Sequence, residues 1–490
     1  MKVVLSTPPG RTTERWPPLG LLYLASSVRA TRSDTVRVID AFCENLSTGD
    51  LLHRVVREKP DLFGMNCSTH TFLDTMDAMK SVHAVLPGTR LVLGGFHATF
   101  AAERILRDYP LIDFVIKGEA EHGFPKLLAH LEDGTEPSDV DGITYLDGAK
   151  VVSQPLAITQ DLDALPFPAR DLVEDIAYGY AHNGIRLTFG KFTTLCSSRG
   201  CPFRCTYCSC AAFSQRRWRP RSPENVVDEI ERLQEEGYEC AVFVDDNFTL
   251  KHKRVEEICR LLRERKVRMR FYCEGRVDHS PYGLLRTMKQ AGFDVMYYGV
   301  ESVSPHVLEY YKKGITAEKS RQAIADAKRA GMLVVVSYII GAPVESREDI
   351  LRTIRFIQET RTHGIQVNIL DCLIGTPIWE DFVRAGIVKP DDWKRNHRIY
   401  EYRPDGLSRE ALEELAEKGY EAYVQGWKSR EGVRDLLRLL WNNPTGRKVI
   451  FGNLLRVPEV RRMSQESRLK AALPDREGPQ TPLAAAARAR

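Results

Sequence analysis

Three cysteines fall within eight residues, Cys201-Pro-Phe-Arg-Cys205-Thr-Tyr-Cys208. Thiolates are the usual ligands of iron–sulfur clusters, and a CxxxCxxC spacing gathers three of them on one short loop. Three thiolates can ligate three irons of a 4Fe–4S cluster and leave the fourth iron open, which permits chemistry beyond electron transfer. The competing reading is a zinc knuckle with Cys210 as fourth ligand. Zinc sites pair CxxC with a second ligand pair further along the chain. Here Cys210 follows Cys208 almost directly and no histidine lies nearby, so zinc is the weaker reading. Cys196 and Cys210 stand outside the motif and read as structural.

The loop follows a predicted strand beginning at Thr193, where a strand–helix alternation starts. Six strands with intervening helices run to Leu370, an incomplete relative of the eight-stranded barrel, whose active residues gather at the C-terminal strand ends. Asp245, Asp246 and Asn247 end the second strand, Glu274 and Arg276 the third, Gly299, Glu301 and Ser302 the fourth, Gly341 the fifth, and Asn368 and Leu370 the sixth. The Arg276 guanidinium fork suits a carboxylate, and Gly299 permits close backbone approach. Each charged residue alone reads as part of a solvated loop. Recurrence at successive strand ends marks a site.

Upstream, five short apolar strands alternate with helices, the pattern of a doubly wound parallel sheet, which binds ligands beyond its C-terminal strand ends. Those ends carry Pro8 and Pro9, Ser68 and Thr69, Gly94, Gly95 and His97, and Gly118 and Glu119. A GxGxxG fingerprint is absent after the first strand, so a nicotinamide reading is weak. Residues 141–152 predict a hairpin turning at Asp147-Gly148, and the Pro-rich stretch 161–170 predicts a connector. The expected organisation is 1–140, a doubly wound Rossmann-like domain; 141–185, hairpin and linker; 186–400, a partial (β/α)6 barrel; 401–472, a helical region; and 473–490, a disordered tail.

Composition sets limits. The chain has 490 residues, 70 Lys+Arg against 66 Asp+Glu, and 43% hydrophobic residues, which excludes wholesale disorder and an overall polybasic character. Its longest apolar stretch, near 332–342, is short of the ~20 residues a bilayer span needs. The opening MKVVLSTPPG reads as a buried strand, not a signal peptide. The expectation is a cytoplasmic protein, where disulfides are rare, so the 11 cysteines call for another explanation.

The motif within SSRGCPFRCTYCS, with Tyr207 in the aromatic position before the third cysteine, resembles the radical S-adenosylmethionine (SAM) superfamily. STPPG, WPPLGLLYLAS, Asn66-Cys67-Ser68-Thr69, LGGFHATF and KGEAEHGF resemble the cobalamin-binding domain that precedes the radical core in one large subclass, the class B type. The resemblance covers residues 1 to ~375, with a highly specific Cys motif and moderately specific N-terminal motifs. It implies a 4Fe–4S cluster on Cys201, Cys205 and Cys208, with SAM chelated at the open iron. It implies SAM contacts at Tyr207, Asp245, Asp246, Glu274, Arg276, Gly299, Glu301, Ser302 and Gly341. Cobalamin contacts would come from Pro8, Pro9, Ser68, Thr69, Gly94, Gly95, His97, Gly118 and Glu119. The DxHxxG loop of methionine-synthase-type domains is missing. The subclass commonly holds cobalt without a protein histidine, and His97 would lie nearer the tail.

The activity so implied is methyl transfer from methylcobalamin to an unactivated carbon of a small-molecule biosynthetic intermediate, by way of a 5′-deoxyadenosyl radical. The alternative is a radical cyclisation, rearrangement or oxidation without net methyl transfer. A methylthiotransferase is disfavoured, because only Cys43 and Cys67 lie in the N-terminal region. A flavodoxin- or ferredoxin-type electron donor is the implied partner. The basic run Arg216-Arg217-Trp218-Arg219-Pro220-Arg221 suits phosphate contacts, but a packing loop near SAM is the favoured reading and nucleic acid the disfavoured one. The stretch 433–441 mixes leucine with arginine; packing on the barrel is favoured over a membrane-surface role.

Overall fold

The structure, a computed structural model, describes residues 1–10, 15–179, 181–182, 185–188, 190–394, 397–398 and 407–454. The expected tail at 473–490, and 455–472 of the expected helical region, lie outside them.

Short runs of buried apolar residues form β1 (Lys2–Ser6), β2 (Thr35–Ile39), β3 (Leu62–Asn66), β4 (Arg90–Gly94) and β5 (Phe114–Ile116). Between them run α1 (Leu19–Thr31), α2 (Thr48–Glu58), α3 (Phe72–Val85) and α4 (Phe96–Asp108), with α5 (Gly123–Asp133) after β5. The α2 start is fixed by a capping box, in which Ser47 and Asp50 satisfy each other's backbone N–H groups. Strand order is β2-β1-β3-β4-β5, all parallel, so the winding direction reverses between β1 and β3. That switch point is where such sheets bind ligands.

The hairpin β6 (Ile143–Asp147) and β7 (Lys150–Ser153) continues this same sheet antiparallel to β5, giving seven strands. The sheet thus runs past residue 140, where the sequence suggested an end. Ile143 and Tyr145 are buried in the core that contains Phe114 and Ile116, and this burial draws the hairpin onto β5.

The second sheet has six parallel strands in sequential order: Phe192–Leu195, Cys240–Phe243, Arg270–Gly275, Phe293–Glu301, Leu333–Ile340 and Gly364–Ile369. Amphipathic helices cover its outer face over a core that includes Phe243, Phe271, Phe293, Tyr298 and Tyr338. Three C-terminal helices follow, Arg409–Lys428, Arg430–Asn442 and Pro444–Leu454. Leu439 and Val449 pack with Phe192, Val242, Tyr272 and Val335, so the last helices cover the side chains on the other face of this sheet. The two sheets are joined by a continuous apolar core. Phe72, Met76 and Ile105 of the first unit lie in one cluster with Tyr311, Cys372, Trp379 and Trp393 of the second.

Candidate active site

The cysteine loop leaves the first barrel strand and is tied down along its length. Buried Asp245 accepts from the Ser197 N–H at 2.8 Å, the Ser197 hydroxyl at 2.7 Å and the Ser198 hydroxyl. Asp246 accepts from the Gly200 N–H at 2.9 Å. Thr206 donates its N–H to the Tyr311 carbonyl and its hydroxyl to the Tyr310 carbonyl, both at 3.0 Å. The Arg276 guanidinium lies 3.8 Å from the Phe203 ring centroid, while its N–H groups bind both oxygens of Asp278 and the Lys313 carbonyl.

Cys201, Cys205 and Cys208 are half-buried on this loop. Among the described residues no three His, Cys, Asp or Glu side chains converge as ligands of a single ion would. A cubane cluster asks for something else, one thiolate per iron at separate corners. Burial pushes the Cys201 thiol up to about 11 and raises that of Cys205, while a hydrogen bond from Cys210 lowers that of Cys208. A bound metal reverses such a preference for the protonated thiol. The donor set and its spacing fit a 4Fe–4S cluster.

Beside the loop lies a buried clamp that sequence reading only half recovered. Lys313 donates to Glu301 Oε1 at 2.9 Å and to the Tyr207 hydroxyl at 3.0 Å. Tyr207 donates to Glu301 at 3.2 Å, and Ser337 donates to the second Glu301 oxygen at 3.2 Å. Glu301 has φ of +66°, unusual for a residue with a Cβ and costing of order 1–3 kcal/mol; these contacts hold it there. A Cβ at Gly299 would stand 2.3 Å from Glu301 Oε1 and 3.0 Å from Lys313 Nζ, so the glycine makes room for the ion pair. Lys313 was missed because nothing in the local sequence links it to its partners, Glu301 and Tyr207, which lie 12 and 106 residues away.

A cavity of about 390 Å³ lies between the two sheets. One wall is the switch-point edge of the first sheet: Leu5, Gly64, Asn66, Val92, Gly94, Gly95, Ile116, Gly118 and Glu119, with Leu21 of α1. The other wall is Ser198, Arg199, Gly200, Cys210, Phe213 and Asp246, the immediate surroundings of the cysteine loop. Buried ion pairs bridge the walls: Arg219 to Glu119 at 2.6 Å, Arg199 to Glu119 at 3.3 Å, and Arg199 to Glu121 at 2.7 Å. Burial works to raise the Glu119 carboxyl, but the hydrogen bond from Arg219 and the two guanidinium charges prevail and hold it below the usual range.

The cavity's lining, rather than its volume, suits one face of a broad, amide-fringed ring. Its floor is largely apolar and glycine-rich, and Gly94 has nothing closer than 3.9 Å to where its Cβ would stand. Asn66 Oδ1 and Glu121 Oε2 are buried acceptors without a protein donor on residues that line the cavity, and they could accept from the amides of a bound cobalamin. Among the described residues no histidine lines the cavity.

The sequence-predicted residues divide. Gly94, Gly95, Gly118, Glu119 and Asp246 line the cavity. Pro8 and Pro9 are buried and stand apart from it, and Ser68 is exposed, capping the short turn that follows it with Thr71. His97 packs into the shared core, its ring 4.3 Å from that of Phe72 and its Nδ1 3.1 Å from the Thr69 hydroxyl. Burial lowers its pKa to about 4. Asp245 spends its oxygens on Ser197 and Ser198 at the start of the loop, while Arg276 spends its N–H groups on Asp278 and the Lys313 carbonyl and meets the loop only through the Phe203 ring. Ser302 is buried in the turn after the fourth strand, where its hydroxyl accepts from the Ser304 N–H at 3.3 Å. Glu274 is half-buried within the third strand. At Gly341, with φ of +95°, the N–H donates to Glu345 at 2.6 Å. Of the basic run, Arg219 and Arg221 are buried in ion pairs with Glu119 and Glu229, which removes two cations from any phosphate-binding surface.

A ligand-binding parallel sheet set against an open barrel with a three-cysteine loop defines a two-cofactor enzyme. Residues 10–128 match the B12 binding domain family, and residues 195–357 match the radical SAM superfamily. An uncharacterized methyltransferase of Pyrococcus horikoshii is 30% identical over 463 residues, 90% of this chain and 99% of that protein. The anaerobic magnesium-protoporphyrin IX monomethyl ester cyclase of Cereibacter sphaeroides is 28% identical over 349 residues, 69% of this chain but 56% of the cyclase. The solved structure of the radical SAM methyltransferase TsrM from Kitasatospora setae, with cobalamin and a 4Fe–4S cluster bound, superposes with a TM-score of 0.66. It has 17% identity, and the match covers 78% of each chain. The chain belongs to the cobalamin-binding radical SAM superfamily. It is a radical SAM enzyme, and its cofactors are a 4Fe–4S cluster, SAM and cobalamin.

Proposed function

We propose that this enzyme transfers a methyl group to an unactivated carbon of a small biosynthetic molecule. The observation that carries the reading is the shared cavity, with the glycine-rich edge of the cobalamin-type sheet on one side and Gly200, next to Cys201, on the other. When bound, the cluster, SAM and cobalamin supply a carbon-centred radical and a transferable methyl group, while the protein positions and shields them. Cys201, Cys205 and Cys208 would hold the cluster, and Asp245, Arg276 and the Thr206 hydrogen bonds would fix the loop that carries them. Tyr207, Lys313 and Glu301 would form the rigid wall beside it. Asn66 and Glu121 would accept hydrogen bonds from the corrin amides. The Arg199 and Arg219 pairs would keep the walls together and exclude water. A flavodoxin- or ferredoxin-type protein would supply the electron.

The similarity to methyltransferases supports this reading, and the similarity to a cyclase supports the alternative of radical ring formation without net methyl transfer. The test is anaerobic reconstitution with iron, sulfide and hydroxocobalamin, then turnover with methyl-deuterated SAM and candidate small molecules. Four irons and one cobalt per chain, 5′-deoxyadenosine and a labelled methyl group in product are expected. 5′-Deoxyadenosine with product lacking the label overturns methyl transfer in favour of cyclisation or oxidation.

A further inference from the structure

The helix Arg430–Asn442 carries two rows of opposite chemistry on its outward side. Val433, Leu437 and Trp441 recur every four residues and are 47%, 61% and 84% exposed. At 100° per residue they form one stripe, with partly buried Leu440 on its edge. Arg430, Arg434 and Arg438 form the adjoining stripe, all exposed. The helix's acidic residues point the other way: Glu431 pairs with Arg361 at 3.0 Å, and Asp435 pairs with Arg361 at 3.2 Å and Lys328 at 3.6 Å. Among the described residues the three arginines have no such partner. The inward side is fully used, with Leu439 in the barrel core and Gly432 against the Gly426 and Trp427 carbonyls.

We propose that this helix docks the enzyme onto an anionic lipid bilayer. An apolar stripe bordered by arginines, with a tryptophan at its end, is the pattern of helices that lie in the headgroup region. Tryptophan favours that level of the membrane, and guanidinium groups bind lipid phosphates in bidentate fashion. Charge argues against the other occupants. Residues 455–490 hold eight Lys or Arg against four Asp or Glu, so that segment would bring positive charge to a positive stripe. A second copy placed by a twofold axis would set the arginine rows against each other. An anionic bilayer complements both rows at once.

The test is co-sedimentation of the full-length reconstituted protein with vesicles of equimolar phosphatidylglycerol and phosphatidylcholine, or of phosphatidylcholine alone. The protein is expected to pellet with the first and stay in the supernatant with the second. Arg434→Gln with Arg438→Gln should weaken partitioning about 25-fold, at about fivefold per basic residue, and Leu437→Asp about tenfold or more. These side chains are exposed, so the helical circular dichroism and iron content should match the parent. Equal binding to both vesicles, or binding indifferent to Leu437→Asp, overturns the proposal. So does a dimer that Leu437→Asp disperses in the absence of vesicle binding, or vesicle binding that needs prior removal of residues 455–490.

Discussion

The two parallel sheets present opposite surfaces at the same kind of edge. At the C-terminal edge of the first, the cavity wall is small or apolar, with Gly64 inside β3, Gly94 and Gly95 at the end of β4 and Gly118 just beyond β5, and the polar atoms there include unpaired acceptors such as that of Asn66, which ends β3. At the C-terminal edge of the barrel sheet, Asp245, Arg276, Glu301 and Lys313 are charged, buried and already bound to one another or to the cysteine loop. One edge offers space and leaves its hydrogen bonds for a ligand. The other fixes geometry before any ligand arrives. The contrast suits a bulky cofactor held by shape on one side and a cluster whose loop must not move on the other.

Breaking the rigid edge at its ligands should have the largest effect. Cys201→Ala, Cys205→Ala or Cys208→Ala should each abolish iron retention and 5′-deoxyadenosine formation while leaving cobalt bound, measured by metal analysis after reconstitution. Loss of both metals together would show that the edges are not independent.

Next comes Lys313→Met, which strands the Glu301 carboxylate among buried groups; Glu301 and Lys313 are only 7% and 8% exposed. Breaking one half of a buried pair costs about 3–5 kcal/mol, read as a drop in denaturation midpoint. Adding Glu301→Gln should recover a large part of it.

The spacious edge is tested by filling it. Gly94 has ordinary φ and open surroundings, so Gly94→Leu should fold and reduce cobalamin retention about tenfold to hundredfold, in line with an overpacking cost of about 1–3 kcal/mol. Iron content should be unchanged.

The subtlest readout, a change in pH dependence, lies at the bridge between the edges. The folded-state pKa of Glu119 is held below its ordinary 4.5. Its stabilising contribution is therefore present above pH 4.5 and is lost as pH falls through the lowered folded value. Glu119→Gln should flatten that part of the acid-denaturation curve and leave the neutral region almost as steep as before.

The sequence made the cysteine loop, both sheets and the helical region legible, because periodicity and spacing are local properties. Long-range pairing was not legible. Arg276 looked free to hold a carboxylate, but Asp278 two residues on takes its fork and Phe203 its face. His97 sat in a suggestive motif, yet Phe72 and Trp393 enclose it from distant parts of the chain. Arg219 reads as part of a packing loop and nothing singles out Lys313, and in neither case does spacing name the partner, because Glu119 and Glu301 come from other elements. The hairpin at Ile143–Asp147 was visible, but its allegiance to β5 depends on a shared core that spacing does not report.

The last helices place Leu439 against Phe192, contacts roughly 250 residues apart in sequence, and pairings of that range slow folding. During synthesis this face of the barrel sheet waits, uncovered, until the helices that carry Leu439 and Val449 have left the ribosome. Its apolar side chains are then a target for chaperones and for aggregation. Yield in a heterologous host should accordingly depend more on chaperone supply and growth temperature than on the stability of the finished enzyme.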